Sequence, residues 1–266
     1  MNDLDELLAT AAEAARIAAA HTLERLERPI DIATKSSAND FVTQVDQECE
    51  QLIVEHILGE RPDDAIVGEE GAAHSGSSGV RWHIDPIDGT TNFVYGQPGY
   101  SVSIGAEVDG IAVVGAVVDP MHGDTFTARR GGGAFWNGRS MTPRGSADLA
   151  SAIIATGFAY DADRRRRQAT VLVGVLEAVG NLRRVGSAAT DLCWVACGRL
   201  DGYYEVGLNS WDYTAGVVIA AEAGARVHDL RGDPPSPTFV VAAAPGVHDA
   251  LVELLVGLDA DGRNSP

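Results

Sequence analysis

The residues with the most chemical potential lie in the run Trp82-His83-Ile84-Asp85-Pro86-Ile87-Asp88-Gly89-Thr90-Thr91-Asn92-Phe93. An apolar strand leads into Asp85, and Pro86 has no amide hydrogen with which to extend a ladder, so the spacing predicts a turn there. Such a turn brings the Asp85 and Asp88 carboxylates and the Ile87 carbonyl toward one point. Clustered hard oxygens repel unless a cation joins them, and this set suits Mg2+. Gly89 permits close backbone approach, and Thr90 stands where a helix would begin, with an amide and a hydroxyl that can meet an anion. A lone Asp-Pro-x-Asp is most often a capped surface turn. Here that bland interpretation weakens, because other isolated acids close or open apolar elements: Glu69 and Glu70 after Ala65-Ile66-Val67-Gly68, Asp46 at a helix start, and Asp212 after Trp211.

The elements that must hold these acids fall into two patterns. Leu4, Leu7, Leu8, Ala11, Ala15 and Ala18 recur at helical spacing, predicting a long amphipathic helix over 3–27; a second runs from about Thr43 to Gly59. From there to about residue 145 the chain reads as short β-type runs, with Asp109-Gly110 and Asn137-Gly138 as turns. The last third alternates strands and helices. The expected organisation is an N-terminal α+β part, 1–145, carrying most of the acids, and a C-terminal α/β part, 146–266, carrying Asp212, packed as one unit with a site between them.

These motifs resemble the inositol monophosphatase family over nearly the whole chain. Trp82 to Tyr95 fits the family's first signature. Trp211-Asp212 through Glu222-Ala223-Gly224-Ala225 resembles the second, with Thr214 where the family usually has Ala or Cys. Lys35-Ser36-Ser37 with Asp40, Thr43-x-x-Asp46, Gly68-Glu69-Glu70, Gly186-Ser187-Ala188-Ala189 and Tyr203-Tyr204-Glu205 also match in order.

The resemblance implies a layered αβαβα sandwich, the sugar-phosphatase fold shared with fructose-1,6-bisphosphatase. It implies Mg2+-dependent, Li+-sensitive hydrolysis of inositol 1-phosphate by a homodimer, with two to three Mg2+ per site. Glu69, Asp85 and the Ile87 carbonyl would hold one ion, Asp85, Asp88 and Asp212 a second, and Glu69 with water a weaker third. Thr90 and Asp46 would take the proton of the attacking water in an in-line displacement. The Gly89 and Thr90 amides would hold phosphate oxygens. Asp88, Ala188 and Glu205 would meet the inositol ring beside Ser187, and Lys35 would sit on a loop beside the metal waters. Lys35 is the only lysine among 20 basic residues, and arginine's broad fork is a poor substitute for a compact ammonium in a crowded site. The resemblance leaves sister activities open, on histidinol phosphate, fructose 1,6-bisphosphate or a 3′-phosphoadenosine nucleotide. It also leaves open a role as a regulatory partner of the transcription machinery.

Composition excludes other classes. The 266 residues carry 38 acids against 20 bases, a net charge of −18. That surface repels nucleic acid and anionic lipid, so direct nucleic-acid or membrane binding is not expected. No apolar run approaches a membrane span, and the acidic N-terminus has the wrong polarity for a secretory signal. With three unevenly placed cysteines, Cys49, Cys193 and Cys197, the expectation is a cytoplasmic protein without a disulfide framework. Arg164 to Arg167 reads as a solvated helix face flanked by Asp161 and Asp163. His83, although it alternates onto the face of Asp85, is not expected to bind metal.

Overall fold

The structure is a computed structural model that describes residues 3–28, 32–35, 41–145 and 148–262. Helix α1 (Leu4–Leu26) is followed by a short antiparallel pair, β1 (Ile32–Thr34) and β2 (Phe41–Thr43), and by α2 (Gln44–Glu60). Then come β3 (Ala65–Gly68), β4 (Ala73–His74), β5 (Val80–Asp88), the single turn α3 (Thr90–Val94), and β6 (Ser101–Val108) to β10 (Arg139–Ser140) through β7 (Ile111–Asp119), β8 (Asp124–Arg129) and β9 (Gly133–Trp136). The remainder is β11 (Ile153–Thr156), α4 (Ala162–Ala178), β12 (Asn181–Arg183), α5 (Ala188–Ala196), β13 (Gly202–Glu205), α6 (Ser210–Ala223), β14 (Arg226–His228), β15 (Val240–Ala243) and α7 (Pro245–Gly257).

Five layers result. The apolar stripes of α1 and α2 cover one face of an eight-stranded sheet, order β10-β9-β8-β7-β6-β5-β3-β4, through a core of Leu7, Ala15, Ile53, Trp82, Ile84 and Ile104. The other face packs on α5 and α6, whose Leu192, Cys193, Ala215 and Ile219 share a core with Val117 and Phe126 of that sheet and with Tyr203 and Val240 of a second. This second sheet, order β12-β11-β13-β15-β14, is capped on its far side by α4 and α7 through Ile154, Val175, Leu251 and Leu255. The αβαβα sandwich expected from the sequence is the observed architecture.

Helix α6 can lie so close to the first sheet because of two glycines. A methyl group at Gly115 would fall 2.3 Å from the Ala215 carbonyl oxygen, and one at Gly105 2.8 Å from the Ala215 nitrogen. That contact, with the Ser103 hydroxyl donating to the Trp211 carbonyl at 3.3 Å, sets the first turn of α6, and with it Asp212, over the end of β5.

Among the described residues no helix is long and apolar enough to cross a membrane. All three cysteines are free thiols. Ser36, Ser37 and Asp40 of the loop motif lie outside the described residues.

Candidate active site

Each acid of the site is placed by an element that ends or begins at it. Strand β5 does not turn at Pro86, contrary to the sequence expectation. It continues to Asp88 through a bulge, with Asp85 opposite Ser103 and Asp88 opposite Ser101, so that Pro86 and Ile87 face the single residue Val102. A bulge is where a residue without an amide hydrogen can sit inside a ladder. The bulge also re-aims the strand: the Ile87 amide donates to Asp85 Oδ1 at 3.1 Å. Directly after Asp88 comes Gly89 at φ 96°, a left-handed conformation, where a side chain would fall 2.9 Å from the Gly99 carbonyl. Glycine is needed there both for the torsion and for the space. It lets Thr90 open α3 with its side chain turned back toward the bulge.

Three longer helices start at the same cluster. Asp46 is the third residue of α2 and closes a capping box: its Oδ2 accepts from the Thr43 amide at 2.8 Å and the Thr43 hydroxyl at 2.5 Å. Asp212 does the same in α6, accepting from the Asn209 amide at 2.6 Å. At α5, Asp88 Oδ2 accepts from the Ala189 amide and the Ser187 hydroxyl, both at 2.7 Å, while Ser187 caps the Thr190 amide at 3.1 Å. The positive ends of three helices therefore face the carboxylates, which offsets part of the cost of burying them.

The acids border one cavity of about 310 Å³, lined by Glu69, Asp85, Asp88, Thr90, Glu205 and Asp212 among others. Asp46 is fully buried behind it, with Oδ1 accepting from the Thr90 hydroxyl at 3.2 Å. The same hydroxyl lies 3.1 Å from the Ile87 carbonyl, and its one proton can serve only one acceptor at a time; a charged carboxylate is the stronger. Lys35 reaches the rim and donates to Glu69 Oε1 at 2.9 Å and Glu70 Oε1 at 2.5 Å. Tyr203 donates to Glu205 Oε2 at 2.7 Å.

Burial, with repulsion between neighbours, pushes Asp46, Glu70, Asp85, Asp88 and Asp212 toward their neutral forms. Asp85 is raised well above the usual carboxylate range by burial, then by Glu69, Asp88 and Asp212, and Glu69 is close enough to hydrogen-bond its carboxyl. Burial is also the main cause at Asp212, followed by Asp88. Asp88 rises to about 7 by burial, which outweighs the hydrogen bonds from Ser187 and Ala189. Asp46 rises to about 6 and Glu70 to about 7, both chiefly by burial. Burial opposes the charge of Lys35, yet Glu69 and Glu70 hold its ammonium above the usual range.

The donor set fits a hard divalent cation. Glu69, Asp85, Asp88, Asp212 and the Ile87 carbonyl offer only hard oxygen donors. Among the described residues no three acidic, imidazole or thiol side chains by themselves enclose a metal-sized point. Water and the carbonyl would complete the shell, as suits an ion that keeps several waters.

The structure thus brings together Lys35, Asp46, Glu69, Asp85, Ile87, Asp88, Gly89, Thr90, Ser187, Ala188, Glu205 and Asp212. It also assembles residues that sequence reasoning missed. Glu50, one helical turn beyond Asp46, accepts from the Glu70 and Ala72 amides at 2.9 and 2.8 Å and so holds the Glu69-Glu70 turn. Asp191 lines the cavity, is 1% exposed, and has one carboxylate oxygen without a hydrogen-bond partner. Burial, then Glu205 and Asp88, raise it well above the usual range. Only the i, i+4 spacing of Glu50 from Asp46 and the position of Asp191 inside an apolar helix could have marked them.

His83 points elsewhere: its Nδ1 lies 2.9 Å from the Ser210 hydroxyl and its Nε2 3.3 Å from Glu107, which ties β5 to the start of α6.

The inositol monophosphatase family model matches residues 3–259. The chain belongs to that family. It is 47% identical over 236 residues to inositol-1-monophosphatase SuhB of Mycobacterium tuberculosis, covering 84% of this chain and 81% of the relative. It is 42% identical over 249 residues to a Pasteurella multocida relative named Nus factor SuhB, covering 92% and 93%. The crystal structure of the extragenic suppressor protein suhB from Bartonella henselae superposes with a TM-score of 0.89 at 32% identity, covering 94% of this chain and 98% of that one. As a family member with this fold the chain is a phosphatase, a phosphoric monoester hydrolase.

Proposed function

We propose that the protein hydrolyses inositol 1-phosphate to inositol and phosphate, with Mg2+ held by Glu69, Asp85, the Ile87 carbonyl, Asp88 and Asp212. The observation that carries this reading is the buried Asp46–Thr90 pair set behind a cavity wall of proton-hungry carboxylates. Bound Mg2+ supplies charge neutralisation for the phosphate and acidifies the attacking water. The protein does the rest. Thr90 Oγ1 takes a proton from that water as its own passes to Asp46 Oδ1, which is ionised above about pH 6. Thr43 fixes the orientation of Asp46, and Ser187 that of Asp88. The Gly89 and Thr90 amides receive phosphate oxygens, while Glu205, Asp88 and Ala188 orient the ring. Lys35 sets the position of Glu69. No covalent phosphoenzyme forms.

In this reading residues 1–145 supply most of the metal ligands and 146–266 supply Asp212 and the ring contacts, in a single working unit. Three free thiols support a reducing, cytoplasmic setting. Exposed Val173 and Leu176 on α4, facing away from the cavity, support a homodimer contact. The test is phosphate release from a panel of monophosphates with Mg2+, with and without EDTA or Li+. Inositol 1-phosphate should lead, and both additions should stop it. Metal-independent release, or histidinol phosphate faster by orders of magnitude, would sink this reading.

The relative named Nus factor SuhB favours a second reading, docking to the transcription machinery. Capture of the partner by Asp88→Asn as well as by the natural protein would support a docking surface independent of catalysis. Loss of binding together with activity would refute it.

A further inference from the structure

Glu69 sits in the segment Gly68-Glu69-Glu70-Gly71-Ala72, which runs from the end of β3 to the start of β4, and Gly71 holds a left-handed φ of 105°. Glycine leaves a backbone more freedom than any other residue, so a turn flanked by two of them does not fix Glu69 by itself. Its position must come from neighbours. The Glu69 amide donates to the Ile84 carbonyl at 3.1 Å, next to Asp85, and Lys35 ties the Glu69 and Glu70 carboxylates together. The third support comes from α2. There Glu50 Oε2 accepts from the Glu70 amide at 2.9 Å and Oε1 from the Ala72 amide at 2.8 Å, so one carboxylate spans the turn.

Glu50 is fitted to this contact. It is 6% exposed, unlike the acids of a solvated helix face, and both of its oxygens are taken up by backbone donors. Gly68 makes the room: a methyl group there would fall 2.1 Å from Glu50 Oε2. At i+4 from Asp46, Glu50 shares the face of α2 that looks toward the site, while Val45, Cys49, Ile53 and Ile57 seat the helix in the core. One rigid helix therefore carries the proton acceptor of the reaction and, one turn later, a brace for a metal ligand.

We propose that Glu50 is a positioning residue for Mg2+, which holds the Glu69-Glu70 turn in place so that Glu69 meets the ion already ordered. The inference rests on the reading above that Glu69 is a Mg2+ ligand. Glu50 acts only through the turn. Without the brace the turn orders when the ion binds, and that lost entropy is subtracted from the affinity. Groups that orient a metal ligand in this way typically contribute about tenfold to a hundredfold in affinity. Two acids one turn apart on α2 thus have opposite signatures: loss of Asp46 lowers kcat and spares Mg2+ affinity, whereas loss of Glu50 lowers Mg2+ affinity in a way that excess Mg2+ overcomes.

The experiment titrates Mg2+ calorimetrically into the full chain and follows kcat for inositol 1-phosphate against Mg2+ concentration, for the natural protein, Glu50→Gln and Glu50→Asp, with circular dichroism as the check on folding. Glu50→Gln keeps the length but turns an NH2 group toward one of the two backbone donors; Glu50→Asp keeps the charge and loses the reach. Both should weaken at least one Mg2+ site by about tenfold or more, and excess Mg2+ should restore kcat. If the natural protein binds Mg2+ and hydrolyses the ester while both variants bind Mg2+ as tightly, the brace is refuted and the proposed function stands. A loss in Glu50→Gln that Glu50→Asp does not share would assign the effect to charge and refute the brace, as would a kcat that excess Mg2+ cannot restore. Weakened Mg2+ binding in both variants, with no hydrolysis of inositol 1-phosphate by any form, would support the brace and sink the substrate reading. A natural protein that binds no Mg2+ would overturn both. Should Glu50→Gln fail to fold, Glu50→Asp reads the same two quantities.

Discussion

Removing Mg2+ should make the stability of this protein fall as pH rises, the reverse of what salt-bridged carboxylates produce. The reason lies in Asp46, which is fully buried and whose carboxyl is lifted from its ordinary 3.8 to about 6, chiefly by burial. An acid with a raised folded pKa binds its proton more tightly in the folded state. Its contribution is therefore fully present below the unfolded pKa and is lost as pH climbs through the folded one. At about 1.4 kcal/mol for each pH unit, the shift of Asp46 corresponds to roughly 3 kcal/mol. Asp88 and Glu70, both at about 7, extend the window upward. Their shifts share the same repulsions and do not simply add. For a chain of this size each kcal/mol moves Tm by about 2–4 °C, so the metal-free protein should lose roughly 6–12 °C between pH 4.5 and 8. Saturating Mg2+ should restore most of that loss at pH 8, because it binds the ionised folded state. The assay is thermal unfolding in EDTA and in Mg2+ across that range. Asp88→Asn, which should flatten the slope, separates the site from general self-repulsion of the acidic surface. A Tm in EDTA that rises or stays level from pH 4.5 to 8, or a slope unchanged in Asp88→Asn, would refute the reasoning.

Other expectations follow from single contacts. Asp46→Asn can keep its oxygen toward Thr43, which turns its amide toward Thr90 and removes the proton acceptor. It should fold normally by circular dichroism yet lower kcat about 10²- to 10⁴-fold, with little change in Mg2+ affinity. Gly157→Ala would place a methyl group 2.0 Å from Glu205 Oε2 and displace that carboxylate. Steady-state kinetics should show a raised KM for inositol 1-phosphate, whereas calorimetry should show unchanged Mg2+ binding. Lys35→Arg should lower turnover severalfold, because the broader guanidinium cannot keep both the 2.9 Å contact to Glu69 and the 2.5 Å contact to Glu70; unimpaired turnover would remove Lys35 from the account.

Residue type and order make much of this site legible in the sequence. Asp85, Asp88 and Asp212 stand out because carboxylates at the ends of apolar elements have no role in a core, and the helical and strand periodicities placed most elements within a few residues. What spacing could not show is how chains approach in space. Pro86 argues locally for a stop, yet the ladder contacts of Asp88 with Ser101 carry β5 past it through a bulge, which is a tertiary outcome. Glu50 and Asp191 look like ordinary polar positions in helices. Only the Glu69-Glu70 turn resting on one, and the packing of α5 against the cavity beside the other, reveal them. The four arginines from Arg164 to Arg167 read as a solvated face flanked by acids, and the structure agrees: Arg164, Arg166 and Arg167 are exposed, Arg166 pairs with Asp163, and Asp161 lies in the field of Arg164 and Arg167.

The charge excess also divides. Five site acids, Asp46, Glu69, Asp85, Asp88 and Asp212, account for a minority of the net −18; Glu50, Asp64, Asp119, Asp124, Asp191, Asp201 and Asp229 are buried as well, and the exposed acids favour solubility.

The central claim is that Asp212 and the β5 carboxylates form one Mg2+-binding unit that hydrolyses a phosphate monoester. Calorimetric Mg2+ titration of the natural protein and of Asp212→Asn, paired with phosphate release from inositol 1-phosphate on the same samples, tests it most directly. The account predicts that Asp212→Asn weakens at least one Mg2+ site by tenfold or more and abolishes release, while the fold persists. Mg2+ binding and hydrolysis that survive Asp212→Asn unchanged would contradict it.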